Sequence, residues 1–254
     1  VHPGIGDRRH EIRRPGPARG DAHAGATRGA GVAFGGMTRA LLVPAQHVMQ
    51  AIADAWMDST PLIAITGQVS STVLGKDAFQ ETDITGITVP ITKHNYLVKH
   101  AEDLPAVFHE AFHLATTGRP GPVLIDVTKD AQQSKIAPNW NVELRLPGYR
   151  PTYDGHARQV KAAVELLTAA ERPLIIAGNG VIQSGASPDL LELAERTGIP
   201  VITTLHGLGA FPQDHPLSIG MPGMHGWVHV NRAIQECDVL LNIGGRFDDR
   251  VTGN

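Results

Sequence analysis

From Val48 onward, short continuous apolar runs alternate with longer stretches whose apolar residues recur at helical spacing. Leu62–Thr66, Val123–Val127, Leu174–Ala177, Val201–Thr204 and Val239–Ile243 are apolar throughout or nearly so, as strands buried on both faces are. Between them, Val48, Met49, Ile52, Ala53, Trp56 and Met57 mark one amphipathic helix. Leu104, Val107, Phe108, Ala111, Phe112 and Ala115 mark another, and Val160, Ala163, Val164 and Leu167 a third. The punctuation agrees: Pro61 ends the first helix, Glu102, Asp103 and Pro105 open the second and Gly118 closes it. Ser187 is placed to cap a further helix with Pro188 in its first turn and Gly198 past its end, and Val230–Glu236 can form another. Strands that alternate with helices predict an α/β fold with doubly wound parallel sheets.

Pro138, Pro147, Gly148 and Pro151 interrupt this pattern without periodicity. They predict a linker over residues 133–155, which divides a first α/β unit (48–132) from a second (156–254). Residues 1–47 differ from the rest, being rich in Arg, Gly, Ala and Pro, with no Lys. They carry little apolar periodicity, and the expectation there is disorder.

A net charge of -3 over 254 residues argues against nucleic acid as a partner. The longest apolar runs, such as Pro173–Gly178, fall far short of the roughly 20 residues a membrane helix needs. The single Cys237 excludes an intrachain disulfide and a cysteine-built metal site, and fits a reduced thiol in a cytoplasmic protein. The 13 His are scattered without metal-ligand spacing, so no metal site is predicted.

Ligands of parallel sheets sit at the carboxyl ends of strands. Three strands of the second unit end in glycine-rich, polar loops: Gly178-Asn179-Gly180, Thr204-Leu205-His206-Gly207, and Gly244-Gly245-Arg246-Phe247-Asp248-Asp249-Arg250-Val251. A fourth segment, Pro222-Gly223-Met224-His225-Gly226, combines Gly with Met and His. Glycine lets backbone approach a ligand closely, Arg pairs with phosphate or carboxylate, and Asp accepts from a ribose hydroxyl. Position 183 is Gln, so the usual dinucleotide fingerprint is absent. Each loop alone serves equally as a turn, a packed loop or an internally ion-paired one; together they favour a bound nucleotide. In the first unit, the polar stretch Gly75–Asp83 centres on Phe79 and could offer hydrogen bonds to a substrate, as could any surface loop.

Residues 48–254 resemble the large, catalytic subunit of acetohydroxyacid (acetolactate) synthases. The likeness rests on Ala51–Gly67, Asp77-Ala-Phe-Gln-Glu81, Pro90-Ile-Thr-Lys-His94, Gly118-Arg-Pro-Gly-Pro122, Gly220-Met-Pro-Gly-Met-His-Gly226 and Arg246-Phe-Asp-Asp-Arg-Val-Thr-Gly253, in the family's order. The resemblance implies an interior piece of a three-domain enzyme: most of a thiamine-diphosphate pyrimidine-binding domain and most of a middle FAD-binding domain. The third domain, which holds Mg²⁺ and the diphosphate, is missing, so the piece alone is expected to be inactive. It further implies that Arg119 and the four loops just named bind FAD as a structural cofactor. Phe79 and Gln80 are implied in an active site built between two subunits, and Arg250 near the substrate carboxylate. The implied reaction decarboxylates pyruvate and joins the product to pyruvate or 2-oxobutanoate, in branched-chain amino-acid biosynthesis. A homodimer or tetramer with a regulatory small subunit is implied as well. Another thiamine-diphosphate carboligase, oxidase or decarboxylase is the alternative enzyme, and a non-catalytic FAD-binding module the alternative of another class.

The likeness weakens before residue 48. The family's activating glutamate lies in an Arg-His-Glu stretch, echoed here by Arg9-His10-Glu11, and Asp21–Thr27 echoes a second stretch at altered spacing. The family's Ser-Gly-Pro-Gly is absent. The composition of residues 1–47 is that of GC-rich DNA read out of frame, so part of this segment is expected to be a reading-frame artefact or a sequencing error, with Glu11 the candidate catalytic glutamate.

Overall fold

The computed structural model describes residues 30–34, 37–43 and 45–252, with side chains from Val48. These divide into two compact units, with the division between Tyr153 and Asp154.

The first unit contains β1 (Ala30–Phe34), β2 (Met37–Val43), α1 (Ala45–Met57) and β3 (Leu62–Gln68). These are followed by α2 (Ile84–Thr88), β4 (His94–Val98), α3 (Leu104–Thr116), β5 (Pro122–Thr128) and α4 (Lys129–Gln133). Its sheet runs β2-β1-β3-β5-β4. The pairs β3–β5 and β4–β5 are parallel, as the strand-helix alternation predicts. The edge differs: β1 is antiparallel to both β2 and β3, so a hairpin extends the parallel sheet within a stretch expected to be irregular. Apolar periodicity missed it because β1 is five residues with two Ala and a Gly, and β2 has polar Thr38 and Arg39 inside it, so neither is a continuous apolar run. Backbone pairing supplies what side-chain pattern does not advertise.

Alternation along β3 and β5 sorts their side chains onto two faces. Leu62, Ala64 and Leu124 pack with Val48, Ile52 and Ala55 of α1. Ile63, Val123, Ile125 and Val127 pack with Ala111, Leu114 and Ala115 of α3. Helices thus cover both faces, which is the doubly wound arrangement. Phe112, assigned to the apolar stripe of α3, is 55% exposed, because the buried arc is narrower than the apolar one. The end of α3 is capped by Lys93, whose Nζ donates to the carbonyls of Leu114 and Thr117, the latter at 2.7 Å. Tyr149 joins the same cap through the Thr117 carbonyl at 2.9 Å, which fastens that part of the linker segment to the first unit.

The second unit contains α5 (Ala157–Ala169), β6 (Pro173–Ala177), α6 (Asn179–Gln183), α7 (Ser187–Thr197) and β7 (Val201–Thr203). It continues with β8 (Ser218–Gly220), α8 (Val228–Glu236), β9 (Val239–Ile243) and α9 (Asp249–Thr252). All strands pair in parallel, in the order β8-β7-β6-β9. Ile175, Ala177 and Val201 face Leu190 and Ala194 of α7. Leu174, Ile176 and Ile202 face Val230 of α8. Gly198 ends α7 in the left-handed region at φ 69°, as its place after the helical pattern predicts. Ser187 is not the cap: it is the first helical residue, and Ala186 precedes it without a side-chain bond. Two short elements, β8 and α6, lie inside stretches that read as loops; each is too brief to show a period.

The order of strands reverses between β6 and β9. In parallel sheets such a reversal opens a crevice at the carboxyl ends, because the connections from the two strands leave in opposite directions.

Candidate functional site

The loops that follow β6, β7 and β9 meet at that crevice, held together backbone to backbone. Gly178 N–H donates to Ile243 O at 2.9 Å, Gly180 N–H to Gly244 O at 3.0 Å, and Thr204 N–H to Ala177 O at 3.0 Å. No side chain fits between them. A methyl at Gly178 would lie 2.3 Å from Gly244 O, and one at Gly180 2.7 Å from Gly244 Cα. At Gly207 it would lie 2.4 Å from Ala177 O. Gly244 itself sits at φ 63°, a conformation that favours glycine. The glycines are therefore needed first for loop-to-loop contact. The Gly180 amide, at the start of α6, is already committed to a carbonyl.

Thr204 turns the β7 loop, its hydroxyl accepting from Gly207 N–H at 3.2 Å, while Leu205 is exposed. After β9, Arg246 and Asp248 form an ion pair at 2.8 Å. Asp248 also accepts from Val251 N–H at 3.2 Å, which caps α9. The Arg246 guanidinium, followed by these backbone amides, holds the Asp248 carboxyl below the usual range. Asn242 closes the turn by donating to Gly245 O at 2.8 Å. These polar groups thus build the loop as well as being available at its surface.

The fourth segment joins the same edge. Gly223 has φ 92°, and a methyl there would lie 1.6 Å from Arg250 O. Met224 N–H donates to Arg250 O at 3.3 Å, and the Arg250 guanidinium approaches Met224 Sδ at 3.8 Å. Pro222 and Gly223 are buried, whereas Met224 and His225 are exposed. Beneath the segment lies a cleft of about 430 Å³, lined among others by Ile176, Met224, Asn231, Phe247 and Val251. Its lining mixes apolar Met224, Phe247 and Val251 with polar Asn231, Gln235 and Thr252, which suits a flat ligand that carries polar groups.

The first unit carries its candidates on the loop after β3. The Glu81 carboxylate accepts from Gly75 N–H and, at 3.0 Å, from Ala78 N–H. These two amides hold Glu81 below the usual carboxylate range. Asp77 and Gln80 lie at φ 51° and 60°, strained for residues with a Cβ. Phe79 stands at the tip, 88% exposed. A large apolar side chain held outward on a strained, internally tied loop contributes nothing to this unit's core. Phe79→Ala is accordingly expected to shift stability by less than about 0.5 kcal/mol, read as an unchanged melting midpoint; a clear fall would show that Phe79 packs against its own unit.

The sheet edge below this loop was not singled out from sequence. Asp126 is fully buried in β5 and accepts from Thr66 Oγ1 at 2.8 Å and Gln68 Nε2 at 3.0 Å. Gln68 also donates to Thr82 O at 2.7 Å and accepts from Val69 N–H at 2.8 Å. A charged residue inside an apolar strand was the available signal.

Arg119 is placed at the end of α1. It donates to Ser59 Oγ at 2.7 Å and to the Trp56 and Met57 carbonyls at 3.3 Å each. Glu11 lies outside the described residues. No cluster of potential metal ligands occurs among the described residues, nor a helix long and apolar enough to cross a membrane.

A parallel α/β unit with a glycine-built crevice at its switch point is the frame of a cofactor-binding domain. Residues 160–254 match the family model described as thiamine pyrophosphate enzyme, central domain. The acetolactate synthase large subunit of Corynebacterium glutamicum is 54% identical over 210 residues, 83% of this chain and 34% of that protein. A probable acetolactate synthase large subunit of Methanocaldococcus jannaschii is 53% identical over 213 residues, covering 83% and 36%. An acetolactate synthase of Mycobacterium avium is 49% identical over 245 residues, 96% of this chain and 38% of that one, so its match also takes in most of residues 1–47. Among solved structures, a putative thiamin diphosphate-dependent enzyme from Mycobacterium smegmatis aligns with a TM-score of 0.61 at 26% identity, covering 79% of this chain and 38% of that chain. The match to the thiamine pyrophosphate enzymes thus lies on residues 160–254, the second unit and its crevice. Most of the chain is homologous to acetolactate synthase large subunits at about 50% identity, and it spans about one third of the length of the relatives it matches.

Proposed function

We propose that this chain supplies the pyrimidine-binding part (48–132) and a flavin-binding part (156–254) of an acetolactate synthase. The whole enzyme would decarboxylate pyruvate and join the two-carbon unit to pyruvate or 2-oxobutanoate, in branched-chain amino-acid biosynthesis. The observation that carries the reading is the switch-point crevice. The segments that most resemble the family, Gly220–Gly226 and Arg246–Thr252, are the ones that wall it.

The residues present fit FAD: a cleft of mixed apolar and polar lining, glycine-built loops that let a ligand approach the backbone closely, and arginines for phosphate or carboxylate. Gly178, Asn179, Gly180, Thr204–Gly207, Pro222–Gly226 and Gly244–Val251 would hold it, as a structural group. Thiamine diphosphate, when bound, supplies the nucleophilic carbon and the electron sink for decarboxylation. The chain's own part is positioning. Phe79 and Gln80 are held outward, ready to cover a substrate and keep water from it. The exposed Arg250 guanidinium can pair with a 2-oxo acid carboxylate. Mg²⁺ and the diphosphate belong to a domain that the described residues do not include. A dimer or tetramer of large subunits, with a regulatory small subunit, completes the proposal.

FAD titrated into the purified chain is expected to lose free-flavin fluorescence and to remain, yellow, through gel filtration. Absence of both would remove the flavin reading. The acetolactate colour assay on the gene product with its flanking sequence tests the reaction, and no carboligation there would sink the enzyme reading.

A further inference from the structure

Asn231, on α8, makes a contact that no motif advertises. Its Oδ1 accepts from Gly223 N–H at 2.8 Å and its Nδ2 donates to Gly223 O at 3.0 Å. One side-chain amide thus satisfies both polar groups of a single residue in a buried stretch of the Pro222–Gly226 segment, much as a neighbouring strand would. Gly223 is itself buried, whereas Asn231 lines the cleft, so without the clamp the Gly223 N–H must find another acceptor there. The grip also sets the position of everything that follows. Gly223 O accepts from Gly226 N–H at 3.0 Å as well, and Trp227 N–H returns to Met221 O at 3.1 Å, which folds the segment into a closed turn. Gly223 is pressed against the Arg250 carbonyl so closely that it tolerates no side chain, and Met224 N–H donates to that carbonyl. A shift of the Gly223 peptide is therefore passed to both walls of the cleft that Asn231, Met224 and Val251 line.

We infer that Asn231 is a positioning residue: it clamps the Gly223 peptide and so presets the Met224 and Arg250 walls for the ligand of this cleft. The chemistry demands an amide. A carboxylate can accept from Gly223 N–H but faces Gly223 O with a second acceptor, and an aliphatic chain of similar size makes neither bond. The ligand is taken to be a flavin, which rests on the reading above; the clamp itself does not depend on it.

The test compares the full chain with Asn231→Asp and Asn231→Leu by amide hydrogen exchange, melting temperature and FAD titration. Faster exchange confined to residues 222–227 is expected in both variants, with the melting midpoint little changed. FAD is expected to dissociate faster, with Kd raised tenfold or more. Exchange over 222–227 as slow as in the parent would overturn the proposal, as would a general acceleration that includes the amides of β6 and β7. Local acceleration with FAD affinity unchanged would overturn the ligand-positioning part. If the parent itself fails to bind FAD, the flavin reading falls, and the exchange data still decide whether the clamp exists.

Discussion

Gly178→Ala is expected to lower the stability of the second unit by about 3 kcal/mol, the upper end of ordinary overpacking. In a unit of this size that is a fall in melting temperature on the order of 12 °C or more. The added methyl would lie 2.3 Å from Gly244 O and 2.4 Å from Gly245 Cα, both backbone. No rotamer change can relieve this. The β6 and β9 loops must separate, and the bond from Gly180 N–H to Gly244 O is strained with them. FAD affinity should collapse in the same variant, because the Gly244–Val251 wall moves. Gly185→Ala is the control: Gly185 has φ 72° but nothing within 4 Å of an added methyl. It meets backbone strain alone, about 1 kcal/mol. Thermal melts of the two variants separate the effects. Equal, small shifts would show that the loops are not held by direct contact.

Asp126→Ala carries the second large effect, about 2–3 kcal/mol. It leaves the half-buried Thr66 hydroxyl and one Gln68 N–H without their acceptor, around the position of a fully buried carboxylate. Gln68 fixes Thr82, the exit of the Phe79 loop, so exchange over residues 75–83 should quicken too. Asp126→Asn keeps an acceptor and removes the charge, and should be tolerated better. Its signature is in pH dependence. Burial, despite the bonds from Thr66 and Gln68, raises the Asp126 carboxyl above its ordinary value of 3.8. A raised acid means that the native state binds more protons than the unfolded chain across that window. Stability therefore falls as pH rises from 3.8 through the raised native value. Exposed Glu81, Asp83 and Asp130 are shifted the other way by their hydrogen bonds and lose their contribution as pH falls. The difference between parent and Asp126→Asn isolates the buried group. Urea midpoints measured from about pH 4 to 7 should show the variant gaining on the parent as pH rises; parallel curves would mean that Asp126 carries no raised titration.

Much of the fold could be read from one dimension. Strands such as Val123–Val127 and Leu174–Ala177 are apolar on both faces because helices cover both, and continuous apolar runs betray that. Helices such as Leu104–Thr116 are long enough to show a period. The hairpin of β1 and β2, the strand His94–Val98 and the five-residue helix Asn179–Gln183 were not legible. They are short or broken by polar residues, as β2 is by Thr38 and Arg39, and so show no continuous apolar run or helical period. The candidate loops were legible as composition, because glycine next to Arg, Asp and Met after a strand is a conspicuous local statement. What those glycines touch was not.

Sequence alone thus determined the layer type, the strand-end position of the candidate loops and the resemblance to a thiamine-diphosphate synthase, since each rests on residues adjacent in the chain. Tertiary structure decided the rest. It placed Gly178 against Gly244, Gly223 against Arg250 and Asn231, and Asp126 against Thr66 and Gln68. The reason is physical: periodicity and composition record how a segment meets water and core, whereas steric exclusion and hydrogen bonding between distant segments exist only once the sheet has set the strand order.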